Sequence, residues 1–122
     1  MRIFDEKEIS YVREVLKSGN LGWNRSGMTG RFEDAFAKFV GSKHAITRSS
    51  AMTALAQAVS CSKAGWDTEV ICDPVVHFGG IAALNENATP VFADIEADTL
   101  LMDPKSVKQK ITEKTKALVV TN

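Results

Sequence analysis

Neither a GxGxxG nor a GxxxxGKS/T stretch occurs anywhere in the 122 residues, which excludes the dinucleotide fingerprint and the P-loop as sources of phosphate binding. No apolar run approaches the ~20 residues of a bilayer-crossing helix, and the charged start MRIFDEKE is unlike a signal peptide. Charge of one sign is missing too. The 15 Lys and Arg face 15 Asp and Glu, so no strong field draws the chain to nucleic acid or to an anionic membrane. Cysteine is scarce: Cys61 and Cys72 lack metal-ligand spacing and read as two isolated buried thiols, not as a disulfide or a metal site. The expectation is a soluble, cytoplasmic protein without a nucleic-acid, membrane or metal partner.

What is present is 44% hydrophobic and 25% charged, enough to bury a core of ordinary proportions for one domain. Asp5 followed by Glu8 has capping-box spacing, and Ile9, Val12, Val15 and Leu16 recur at helical intervals, predicting a helix over 6–17. The segment SGNLGWNRSGMTG, 18–30, carries Gly19, Gly22, Gly27 and Gly30 with no apolar periodicity and reads as a long loop. Loops of that length are commonly functional or mobile. Thr29 is the expected cap of a second helix whose Phe32, Phe36, Phe39 and Val40 form one face for docking, closed by Gly41.

From Lys43 onward the pattern changes to alternating strands and helices. Strands are expected at HAIT (44–47), EVICD (69–73), PVFADI (90–95) and KALVVT (116–121). Helices are expected over 50–62, 78–86 and 104–112, the last with Asp103 as N-cap and Pro104 in its first turn. Such alternation implies an α/β fold with a mainly parallel sheet and helices on both faces. The apolar runs VIC and ALVV suit strands buried on both sides. The organisation reads as an N-terminal helical and loop segment, 1–42, followed by an α/β segment, 43–122. Because the last strand stops one residue before Asn122, and carboxyl ends of strands lead into ligand loops, a piece of a longer domain is expected.

Three turns follow the carboxyl ends of strands, where helix N-termini aim their free N–H groups. In RSSAM, the amides of Ala51 and Met52 with the Ser50 hydroxyl could cradle a phosphate, or Ser50 could be an N-cap and nothing more; residue chemistry by itself favours the cap. In DPVVHFGG, His77 could be a flat ring beside a ligand or an acid or base, or an idle helix-start histidine. The adjoining Gly79 and Gly80 each cost a helix about 1 kcal/mol, so they need a reason, which is ligand approach or close packing. The acidic turn ADIEADTLLMDP, with Asp94, Glu96, Asp98 and Asp103, lacks calcium-loop spacing and suits turn formation and capping.

In order along the chain, FEDAFAKFVGSKHAI, SSAMTALAQAV, GWDTEVICDPVVHFGG, ATPVFADIEADTLLMDP and ITEKTKALVV resemble the N-terminal half of the large domain of the DegT/DnrJ/EryC1/StrS aminotransferases. The resemblance covers nearly all of the chain. It implies a partial fold-type I transferase large domain that uses pyridoxal 5'-phosphate and aminates keto-sugars, mostly nucleotide-linked, with an amino-acid donor, as a homodimer. On this resemblance the family's SGT phosphate turn falls on Ser50, Ala51 and Met52, and its ring-stacking aromatic falls on His77. Trp23, Asn24, Ser26 and Gly27 match the loop near substrate and dimer interface, while Phe32 and Glu33 match a packing pair.

Two departures stand out. Ala51 and Met52 replace the family's Gly and Thr, so a hydroxyl is absent and a methyl group is added where backbone approaches phosphate, with weaker anion binding as the expected result. The Asp that pairs with the pyridine nitrogen and the Lys that carries the Schiff base fall beyond residue 122, and Lys114 and Lys116 read as surface charges. No catalytic residue is therefore assigned, and the 122 residues are expected to be inactive alone. A sugar dehydratase of the same family, or a complete flavodoxin-like domain that holds a phosphate ligand without chemistry, are the alternatives.

Overall fold

The computed structural model describes residues 4–121, and the chain divides after Thr47 into two units, each described by itself.

In the first unit, helix α1 (Glu6–Ser18) starts on a complete capping box: the Asp5 carboxylate accepts the amides of Lys7 and Glu8, and Glu8 accepts the Asp5 amide. It ends on Gly19 in the left-handed conformation. Helix α2 (Met28–Val40) likewise ends on left-handed Gly41, but its N-cap is Gly27, with no side-chain cap. Thr29 is thus inside the first turn and not the cap expected of it. The preceding turn is organised by Asn24, whose Oδ1 accepts both the amide and the hydroxyl of Ser26 at 2.9 Å, while its carbonyl accepts the Gly27 amide. Gly30 is required by the same turn, since a Cβ there would stand 1.8 Å from the Arg25 carbonyl oxygen. The buried positions of α2 are Gly30, Glu33 and Ala37; the phenylalanine stripe lies outside, with Phe39 86% exposed.

Residues 44–47 form no ladder among the described residues, contrary to the expected first strand. The Thr47 amide, which a ladder would use, donates to the Glu33 carboxylate at 2.9 Å.

The second unit is a three-layer α/β arrangement. Helix α3 (Ala51–Cys61) leads through residues 62–68 to strand β1 (Glu69–Cys72); helix α4 (Phe78–Asn85) leads to strand β2 (Thr89–Phe92), and helix α5 (Pro104–Lys110) to strand β3 (Thr115–Val119). Among the described residues the sheet has three strands, order β2-β1-β3, all parallel, with Val70 opposite Pro90 and Ala117. Successive β1 residues point to opposite faces. Val70 packs with Val59 of α3 and Ala82 and Ala83 of α4, whereas Ile71 packs with Ala93 and Met102 and with Val107 of α5. One helical layer therefore covers each face of the central strand, and Val70, Ile71 and Cys72 are fully buried.

Strand β3 departs from expectation. Leu118 is 47% exposed, because β3 stands at the edge of the described sheet and its apolar alternation is covered on one face only; Val120, one residue past the strand, is 52% exposed. Cys61, expected to be buried, is exposed near the end of α3. The acidic turn is a small hairpin in which Ile95 bridges Met102, Thr99 donates to Glu96, and Asp103 caps α5 through the Lys105 amide. Among the described residues no helix is long and apolar enough to cross a membrane.

Candidate cofactor and substrate site

Ser50 has extended backbone and caps α3. Its Oγ accepts the Thr53 amide at 3.2 Å, and the Thr53 hydroxyl returns to the Ser50 amide and carbonyl at 3.1 and 2.9 Å. That reciprocal clasp leaves the amides of Ala51 and Met52, the first two helical residues, without a carbonyl one turn back. Because the carboxyl end of α3 returns to the amino end of β1, Ser50 stands at the carboxyl edge of the sheet. The same edge receives the turn after β1, so α4 starts there also. Two helix N-termini with positive dipole ends share one edge of a parallel sheet.

Met52, one of the two residues at which this turn departs from the family pattern, answers to packing. Its side chain is half-buried and packs on the cluster of Val59, Val70 and the α4 alanines, so it belongs to the core. Position 52 lacks the threonine hydroxyl, but its bulk does not fill the turn. Ala51 is exposed and takes no part in that cluster. The hydroxyl one residue later, on Thr53, is committed to the clasp.

His77 is exposed at the N-cap position of α4, makes no side-chain cap bond, and sets its ring edge-on to Phe78 with centroids 4.6 Å apart. The glycines that follow are explained by packing. A Cβ on Gly79 would stand 2.6 Å from the Cys72 Cβ and 3.2 Å from Val119, and one on Gly80 would stand 3.3 Å from the Phe92 ring. Of the two reasons open in the sequence, close helix-on-sheet contact is the one realised.

Asp73, which sequence reasoning missed, organises this turn. Its carboxylate is 4% exposed and accepts the amides of Val75 and Val76 at 3.0 and 2.8 Å and the Thr121 hydroxyl at 2.8 Å. Burial pushes its pKa up, but the hydrogen bonds from Val76, Thr121 and Val75 outweigh burial and hold it below the ordinary value. The same burial, with the neighbouring Asp73 charge, raises the Cys72 thiol, so Cys72 is an inert core group. The Asp-Pro dipeptide signalled a turn; its tie to Thr121, 48 residues away, had no local signal.

The remaining predicted residues, Trp23, Asn24, Ser26 and Gly27, all lie in the first unit, on the turn before α2. Glu33, read from the sequence as half of a packing pair with Phe32, is buried as a packing residue would be but also holds that turn by hydrogen bonds. It is 5% exposed, and one oxygen accepts the Trp23 indole N–H at 3.3 Å and both the amide and hydroxyl of Thr47 at 2.9 Å. The Arg25 guanidinium lies 3.7 Å from the other oxygen. The Thr47 hydrogen bonds, ahead of the indole and Arg25, keep the Glu33 carboxyl below its usual value against the opposing effect of burial. Arg25 itself is paired to Asp34 at 2.6 Å, which raises its pKa.

Every lysine of the chain is exposed. Lys114, paired to Asp67, is held more firmly protonated by that carboxylate, and Lys116 reaches only the Glu113 carbonyl.

The DegT/DnrJ/EryC1/StrS aminotransferase family matches residues 2–122. The spore coat polysaccharide biosynthesis protein SpsC of Bacillus subtilis is 39% identical over 96% of this chain and 30% of its own length. The L-glutamine:2-deoxy-scyllo-inosose aminotransferase of Streptomyces lividus is 35% identical over 91% of this chain and 28% of its own length. Among solved structures, Spr1654 of Streptococcus pneumoniae in its PMP form superposes with a TM-score of 0.87 at 29% identity, over 97% of this chain and 30% of that one. The chain thus spans about 30% of the length of the relatives it matches. With a fold-type I architecture and a match along almost its whole length, the chain belongs to the DegT/DnrJ/EryC1/StrS aminotransferase family.

Proposed function

We propose that these residues are the N-terminal part of the large domain of a pyridoxal-phosphate-dependent aminotransferase that aminates a keto-sugar, nucleotide-linked, with an amino acid as donor. The observation that carries this reading is the start of α3: two unpaired amides and the Ser50 hydroxyl at the carboxyl edge of a parallel sheet, in a chain matched by an aminotransferase family throughout. The donor set suits a phosphate dianion, since backbone N–H groups and a helix dipole stabilise negative charge. Ser50, Ala51 and Met52 would hold the phosphate, and His77, exposed at the start of α4, would lie along the cofactor ring. Pyridoxal phosphate, when bound, supplies the electron sink for amino transfer.

This chain's residues bind and orient and move no proton in this reading. A lysine that serves as nucleophile at neutral pH needs desolvation or a neighbouring cation to lower its pKa, and every lysine here is exposed. The 122 residues alone are accordingly inactive, and the turn bearing Trp23, Asn24, Ser26 and Gly27 serves the sugar substrate. A cytoplasmic homodimer completes the reading, with the exposed phenylalanine face of α2 among the surfaces that assembly would cover.

The test is incubation of the full-length protein with pyridoxal phosphate, L-glutamate or L-glutamine, and a panel of nucleotide-linked keto-sugars. A product in which the carbonyl has become an amine, read by mass spectrometry, is expected. Loss of water from the sugar without gain of nitrogen would instead identify the dehydratase branch, and no change in any sugar would overturn the reading.

A further inference from the structure

Glu33 places three donors from two distant stretches on one oxygen: the Trp23 indole N–H, and the amide and hydroxyl of Thr47. A charged side chain on a helix is seldom buried without a partner set of this kind. Its site on α2 is one turn from Gly30, where the loop backbone approaches too closely for any Cβ. Arg25, on the same loop, adds a second attachment through the Gly30 carbonyl at 3.1 Å and Asp34 at 2.6 Å. Trp23 nevertheless stays 65% exposed. The indole is therefore held by its N–H end while its ring faces outward, the arrangement of a presented binding surface and not of a core residue.

We infer that Glu33 is a positioning residue for the sugar substrate, fixing the 22–27 loop and the outward face of Trp23 through the Trp23–Glu33–Thr47 junction. The inference rests on the proposed role of that loop in substrate binding. A fixed aromatic face with Asn24 and Ser26 beside it suits a sugar ring, which offers C–H groups to an aromatic and hydroxyls to polar neighbours. Glu33 does not touch substrate in this account; it removes the freedom the loop would otherwise lose on binding.

The experiment compares Glu33→Leu, which keeps bulk but removes the acceptor, with Glu33→Gln, which keeps one acceptor oxygen, in the full-length protein. Hydrogen exchange over residues 22–27 and at Thr47 is measured together with the two half-reactions. Glu33→Leu is expected to speed exchange in the loop and to raise KM for the keto-sugar about tenfold, while the half-reaction with the amino donor is unchanged. Glu33→Gln should restore most of both. Should Glu33→Leu fail to fold, Trp23→Phe removes the indole N–H together with the pyrrole ring but leaves the Thr47 bonds to Glu33, and should speed loop exchange while Thr47 stays protected. Loop exchange equal to wild type in the variants would overturn the inference, as would faster exchange with sugar KM unchanged, or equal loss in both half-reactions. If the wild type aminates no sugar, the functional reading fails and this substrate role with it, whereas the exchange data still report whether Glu33 holds the loop.

Discussion

Gly79 lies so close to Cys72 that a Cβ on the glycine would stand 2.6 Å from the Cys72 Cβ. Helix α4 is thereby seated directly on the central strand, and the turn carrying His77 is fixed at its start. Gly79→Ala is expected to destabilise the protein by about 1–3 kcal/mol, the usual range for overpacking. Gly80→Ala should do less, because its contact is the outer edge of the half-exposed Phe92 ring. Urea unfolding of the two variants, at equal m-value, checks the order.

The Ser50 and Thr53 clasp makes a second expectation. Ser50→Ala removes an N-cap and should cost about 1 kcal/mol, and it should weaken phosphate binding as well. Met52→Thr, which restores the hydroxyl of the family pattern, should lower stability because it withdraws Met52 from the cluster around Val59 and Val70. Thermal unfolding with and without pyridoxal phosphate separates the two effects.

Acid should unfold the protein through Glu33 and Asp73. Both carboxyls are held below their ordinary values in the folded state. Their contribution is fully present above the unfolded pKa and is lost as pH falls through the folded one. Stability should therefore begin to fall near the ordinary carboxylate range, about pH 4, and continue falling below it. Asp73→Asn and Glu33→Gln should each flatten that slope, in circular-dichroism melts from pH 7 downward.

Thr121→Val tests the long-range tie between the ends of β1 and β3. Loss of the hydroxyl that donates to Asp73 should cost about 1 kcal/mol and speed hydrogen exchange at Val75 and Val76, while exchange in α1 and α2 remains as in the wild type.

Much of the second unit is legible from residue order, because its signals are local. The Asp103-Pro104 start of α5, the Ser50 cap and the apolar VIC core strand each depend on neighbours a few positions away, and each is realised. What was not legible depends on distant partners. HAIT has the composition of a strand, yet the Thr47 amide goes to Glu33, 14 residues earlier. Leu118 is as apolar as any core residue but stands on an edge strand, and Val120 lies just past its end. Glu33 reads in sequence as a packing position and Asp73 as a turn residue; only the several donors converging on each buried carboxylate reveal what they hold. The exposure of Cys61 is not legible for the same reason: thiol chemistry says nothing about which side of α3 is covered.

The most direct test of the central claim compares pyridoxal phosphate with pyridoxal, which lacks the phosphate, binding by calorimetry to the full-length protein and to its Ser50→Ala variant. The account predicts tight binding of the phosphate form to wild type, about tenfold or greater loss for pyridoxal, and a several-fold loss for Ser50→Ala confined to the phosphate form. Equal affinity for the two compounds, or a Ser50→Ala variant that binds pyridoxal phosphate as wild type does, would contradict a phosphate cradle at the start of α3.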